Sequence, residues 1–170
     1  GYTSIDLDFQ VTKDGYAVNT HWGRPRMHGF RWRKSTPKSI RKKFKLSSKI
    51  SQMTLEETKW LVSIKGGYRI REVEDMLAIA KKLDFKRIEL EAKGGAFSRE
   101  IFRGVKEASE RLGIKVQVKT LSNIPGAARR LKNAHLEGLD TIILPRGTRR
   151  LKKSSYWGHT KYVRGKVVWI

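Results

Sequence analysis

The chain has 170 residues, 38% of them hydrophobic, which suits one domain with a real core and excludes wholesale disorder. Its 38 Lys and Arg against 16 Asp and Glu leave a formal charge of +22, a surface that attracts polyanions such as nucleic acid, anionic lipid or phosphate-rich polymers. Cysteine is absent, which removes disulfides and thiolate metal sites, and no apolar run is long enough to span a membrane.

The first predicted element is a strand from Ser4, in which Asp6 and Asp8 share one face while Ile5, Leu7 and Phe9 share the other. Lys13-Asp14-Gly15 is a turn signal, and Tyr16 to Asn19 reads as a second short strand ending at His21. Two carboxylates and an imidazole at neighbouring strand ends outline a site for a hard divalent cation and a reacting group.

Residues 23–50 contain Arg24, Arg26, Arg31, Arg33, Lys34, Arg41 and several further lysines with no acid, and read as a long basic loop. Trp22, Phe30, Trp32 and Phe44 are interleaved with these charges. Such a mixture suits stacking on bases with phosphate contact, or aromatics that anchor the loop while the charges are solvated.

Thr54 and Glu57 form a capping-box signature for a helix that continues through Trp60 and Leu61 to Gly66-Gly67. Helical spacing recurs over Arg71 to Leu83, and Arg87 to Lys93 alternates as a strand with Glu89, Glu91 and Lys93 on its polar face. Strands buried between helices in a parallel sheet are apolar on both sides, so three ionisable groups on one face point to the mouth of a barrel. A helix from Ser98 to Leu112 stopped by Gly113, a strand Ile114 to Val118, a helix Pro125 to His135 and a strand Leu139 to Leu144 continue the alternation. A second acid-free basic segment, residues 145–166, leads to a last strand from Gly165 to Ile170. Repeated strand-helix units predict an α/β fold with a parallel sheet, open or closed into a barrel, and no linker divides residues 1–170.

In this order the motifs resemble the glycerophosphodiester phosphodiesterase family. Asp6-Leu-Asp8 is similar to its Glu-x-Asp pair, Thr12-Lys-Asp-Gly15 to its Thr-x-Asp-Gly turn, and His21 to the His of its His-Asp dipeptide. Met53-Thr-Leu-Glu-Glu57 and Ile70 to Leu77 are similar to its helix starts, Glu91-Ala-Lys93 to its Glu-x-Lys motif, and Val167-Val-Trp169 to a late Val-x-Val-Trp strand.

The resemblance implies a TIM-type (β/α) barrel, incomplete here, since the family's first strand with its His-Arg-Gly would lie upstream of Gly1 and the closing helix is missing. It also implies a phosphoric diester hydrolase acting on glycerophosphodiesters or lipid head groups. Asp6, Asp8 and Glu91 would hold Mg²⁺ or Ca²⁺, with His21 and Lys93 catalytic and Arg24, Arg26 and Trp169 against substrate or a polyanion. A sphingomyelinase-D-like phospholipase would share the fold and the metal triad. Asp6 is one methylene shorter than the family's Glu, and Trp22 stands where the family has Asp. The other reading is a catalytically impaired basic barrel that binds nucleic acid or another anionic polymer through residues 23–50 and 145–166. A soluble, cytoplasmic setting is the expectation.

Overall fold

A computed structural model describes residues 4–93, 97–121 and 125–144, and the backbone of three strands between 155 and 169. Strands β1 (Ser4–Val11), β5 (Arg87–Ala92), β6 (Lys115–Leu121) and β7 (Asp140–Leu144) lie side by side in parallel, and β2 (Ala17–Asn19) closes the other edge antiparallel to β1. The fold is therefore α/β with a parallel sheet, as the alternation predicts. Among the described residues that sheet is open rather than closed into a barrel.

Helices α3 (Val73–Lys82), α4 (Arg99–Leu112) and α5 (Ala127–Leu136) supply the crossovers. Ser98 caps α4 by accepting from the Ile101 N–H, and Gly113 ends it at φ 62, where a side chain would be strained. Phe9, Ile88, Leu90, Val116 and Val118 meet Leu77, Phe102, Val105 and Ala134 in a buried core on one side of the sheet. Sheet register gives the other face to charge: Asp6 lies opposite Glu89, Asp8 opposite Glu91, and Glu91 opposite Lys119.

Residues 23–50 are not a loop. They hold a 3₁₀ turn at Pro25–His28, strand β3 (Phe30–Trp32), helix α1 (Lys38–Lys43) and the start of a second 3₁₀ turn. Phe30, Phe44 and Ile50 join Val18, Met53, Leu61 and Ile70 in a second buried cluster. A run without acids still folds here because its apolar residues share a core with Val18 and with Met53, Leu61 and Ile70.

The capping box at Thr54 and Glu57 forms as the sequence predicts, but the helix α2 (Leu55–Thr58) is a single turn. Strand β4 (Leu61–Ser63) follows and pairs antiparallel with β3, and Gly66-Gly67 makes the next turn instead of stopping a helix. Leu61-Val62-Ser63, with β-branched Val62 at its centre, gains a strand partner in β3, which outweighs local helical spacing.

The strand expected at the end of the chain is β10 (Lys166–Trp169). It pairs antiparallel with β9 (Thr160–Val163), which pairs with β8 (Ser155–Trp157), so it is no parallel barrel strand. The side chain of Trp169 lies outside the described residues, as does the rest of residues 145–154.

Candidate active site

The β1–β2 hairpin carries His21 back to the end of β1. Asp8 O accepts from the Thr20 N–H at 3.0 Å and from Asn19 Nδ2 at 3.0 Å, and Gln10 Nε2 donates to His21 O at 3.1 Å. These bonds fix the backbone on both sides of the imidazole, whose Nδ1 lies 2.8 Å from Asp8 Oδ2. Lys93 arrives from just beyond β5, tied to β1 by its N–H donating to Phe9 O at 2.9 Å. Its Nζ lies 2.9 Å from Asp8 Oδ1, 3.5 Å from Glu91 Oε1 and 3.2 Å from His21 Nε2. Three residues distant in sequence thus meet around Asp8.

Burial works to raise the pKa of Asp8, but hydrogen bonds from Lys93 and His21, with the charges of both, outweigh it and hold the carboxyl below its ordinary value. An ionised carboxylate only accepts, so the proton of the shared bond sits on His21 Nδ1, and the Lys93 ammonium lies 3.1 Å from Nδ1 and 3.2 Å from Nε2 of the same ring. Glu91 is the opposite case. Burial raises its pKa; the Lys93 charge opposes this, and the negative charges of Asp8 and Asp6 add to the rise. Its Oε1 is buried without a hydrogen-bond donor, although the Lys93 charge is near.

Asp6 departs from the expected metal triad. Its Oδ2 meets Nζ of Lys119 at 2.5 Å, and that buried lysine also lies 3.7 Å from Glu89. Among the described residues, no three acids or imidazoles come close enough together to hold a metal ion. Asp8 and Glu91 are neighbours in register, but both face the Lys93 ammonium, and Asp6 is drawn to Lys119, so the three expected ligands do not come together. Strand alternation in the sequence places Glu89 on this face with Glu91 but does not reach its partner Lys119. The signal was their shared strand parity with Glu91, readable once β5 and β6 are paired in register.

Arg24 is held elsewhere, its Nη1 donating to Ser47 O at 2.9 Å, while Arg26 is exposed. Trp22, also exposed, sets its ring edge against His21 with centroids 4.5 Å apart. At the starts of β5 to β7 the same sheet face opens into a cavity of about 520 Å³ lined by Arg87, Lys115, Gln117, His135 and Asp140. It sits at the opposite strand ends from His21, and in parallel α/β sheets the carboxyl ends of strands are where ligands bind.

The fold and the cluster together define an α/β protein with an ionised acid-imidazole-lysine group at the carboxyl end of its first parallel strand. No family model matches the chain, and no curated protein does. Among solved structures it is similar to a Galdieria sulphuraria protein provisionally assigned as a glycerophosphodiester phosphodiesterase, at 18% identity and a TM-score of 0.49. The match covers 82% of this chain and 62% of that one, so this chain spans less than two thirds of that protein's length.

Proposed function

We propose that the chain carries the active site of a phosphoric diester hydrolase that cleaves glycerophosphodiesters into glycerol 3-phosphate and an alcohol. The observation that carries this reading is the Asp8–His21–Lys93 group, in which one carboxylate orients an imidazole and holds an ammonium beside it. The motif order from Asp6 to Lys93 and its resemblance to the glycerophosphodiester phosphodiesterases support it. So does the charged sheet face, which suits the inner wall of a TIM-type barrel better than a helix-covered sheet.

Each residue has a part in such a reaction. An incoming phosphate competes with Asp8 and Nε2 for Lys93, and the ammonium swings onto a non-bridging oxygen. That movement uncovers Nε2, which takes a proton from the attacking water as its oxygen bonds to phosphorus, and gives one to the alkoxide that leaves as the alcohol. Asp8 keeps the tautomer fixed and stabilises the imidazolium formed between the two transfers. Asp8 and Glu91 are the residues that would hold a divalent ion, Mg²⁺ or Ca²⁺. Such an ion would stabilise charge on the phosphoryl oxygens.

The test is release of alcohol from glycerophosphocholine and related diesters with Mg²⁺, Mn²⁺ or Ca²⁺ supplied. His21→Ala is expected to lower kcat by about 10²–10⁴-fold, and Glu91→Ala to abolish the dependence on added metal. Absence of turnover with all three ions, by the full natural protein, rejects the reading.

A further inference from the structure

The unit that interrupts the charged sheet ends in a tip with unusual chemistry. Strands β3 and β4 pair Phe30 with Ser63, and beyond that pair the Ile64 N–H donates to Gly29 O at 2.8 Å. The turn through Gly66 (φ 80) and Gly67 (φ 65) then returns the chain, and the Ser63 N–H donates to Tyr68 O at 2.8 Å. Ile64 is left 63% exposed, Tyr68 50% and Met27, two residues before Gly29, 57%. Single exposed apolar residues need no explanation, whereas three at one tip do.

Tyr68 is anchored from behind, its ring meeting buried Phe30 edge to face at 5.8 Å, so the exposed edge is presented rather than loose. Around these residues stand Arg26, Arg31, Lys65 and Arg69, all exposed and, among the described residues, none in an ion pair.

We propose that this tip docks the protein on an anionic lipid surface, with Met27, Ile64 and Tyr68 entering the head-group layer and the four cations contacting lipid phosphates. A basic surface alone would serve a nucleic acid equally. Exposed Ile and Met gain nothing from a duplex backbone, whereas a lipid interface rewards both halves of the tip. Of the four aromatics interleaved with the basic charges, Phe30 and Phe44 are buried in the core and cannot stack on bases, which leaves exposed Trp22, set against His21, and partly buried Trp32. Met27 follows His21 by six residues, which at roughly 3.5 Å per residue keeps their backbones within about 21 Å of each other.

The experiment reads binding without turnover, so it stands or falls separately from the hydrolase reading. Wild-type chain and the double variant Ile64→Glu/Tyr68→Glu are partitioned onto mixed phosphatidylglycerol–phosphatidylcholine vesicles in about 0.5 M NaCl, where the Debye length is down to roughly 4 Å. Wild type is expected to stay bound and the variant to partition roughly tenfold or more weakly. Both substitutions are at exposed positions, and circular dichroism checks that the fold is kept. Equal partitioning of the two, full release of wild type by salt, or equal binding to pure phosphatidylcholine overturns the proposal.

A second arm does not depend on disruptive changes. The chain has no cysteine, so Ile64→Cys offers a unique thiol for an environment-sensitive fluorophore. A blue shift on anionic vesicles, absent with duplex DNA, is the expected result; a shift with DNA and none with vesicles assigns the surface to nucleic acid and ends the lipid proposal.

Discussion

Lys93 and Lys119 occupy a row of carboxylates on one sheet face, Lys93 between Asp8 and Glu91 and Lys119 between Asp6 and Glu89. Removing one member leaves its partners charged and partly buried. Lys119→Met is expected to destabilise by about 2–3 kcal/mol, below the 3–5 of a fully buried pair because Asp6 is half exposed. Adding Glu89→Gln should recover part of the loss, and a double-mutant cycle by urea unfolding measures the recovery. Glu91 behaves in the other sense. Its folded pKa is raised, first by burial and then by Asp8 and Asp6, so keeping it ionised costs stability at every pH above its folded value. Glu91→Gln should therefore raise Tm at pH 7 by about 2–4 °C. The gain should vanish as pH falls below the ordinary glutamate value of 4.5, where the wild-type side chain is protonated folded or unfolded. A gain that persists at pH 3.5 would mean that packing, not charge, is responsible.

At the scale of elements, two separate apolar clusters hold two parts of the chain. The sheet and its helices share one, and β2, β3, β4 and the basic unit share the other. Phe30→Ala removes a side chain that is 2% exposed from the smaller cluster, at a cost of about 3–5 kcal/mol. Hydrogen exchange should then rise across residues 23–70 while amides of β5 and β6 keep their protection. A uniform rise would show that the two clusters unfold as one. The same division explains what could be read from the sequence. From Val73 to Leu144 every helix and strand was legible, because caps such as Ser98 and Gly113 and period-two or 3.6-residue spacing agree with the tertiary contacts. Between Gly23 and Gly67 they do not agree. Phe30-Arg-Trp32 and Leu61-Val-Ser63 are too short to declare themselves, and each is a strand only because the other is there. In the site, Asp8, His21 and Lys93 were legible from strand parity and hairpin length, whereas the capture of Asp6 by Lys119 was not. That pairing depends on β6 lying next but one to β1, a fact of sheet order that no local pattern encodes.

For the molecule as a whole, charge is the dominant quantity. A formal +22 on 170 residues leaves far more cations than acids, and among the described residues ion pairs engage only a minority of the cations. In the unit 23–50, Lys43 reaches Glu57, while Arg24 and Arg41 turn to backbone carbonyls. Compaction brings the remaining charges closer together than in the unfolded chain, so self-repulsion opposes folding and salt relieves it. At about 0.01 M salt the Debye length of roughly 30 Å spans the domain, and at about 0.5 M it is down to roughly 4 Å. Tm should rise by about 5 °C or more across that range. The site pairs pull the other way, since screening also weakens Lys93 against Asp8 and Lys119 against Asp6. Both lysines are shielded, Lys119 only 9% exposed, so this loss is the smaller term even though Asp6 is half exposed. A melting series in NaCl, repeated with sodium sulfate at matched ionic strength, separates screening from anion binding: equal rises identify relieved repulsion, and a larger rise in sulfate identifies a bound anion. A flat or falling Tm would mean that local pairing, not net charge, governs stability.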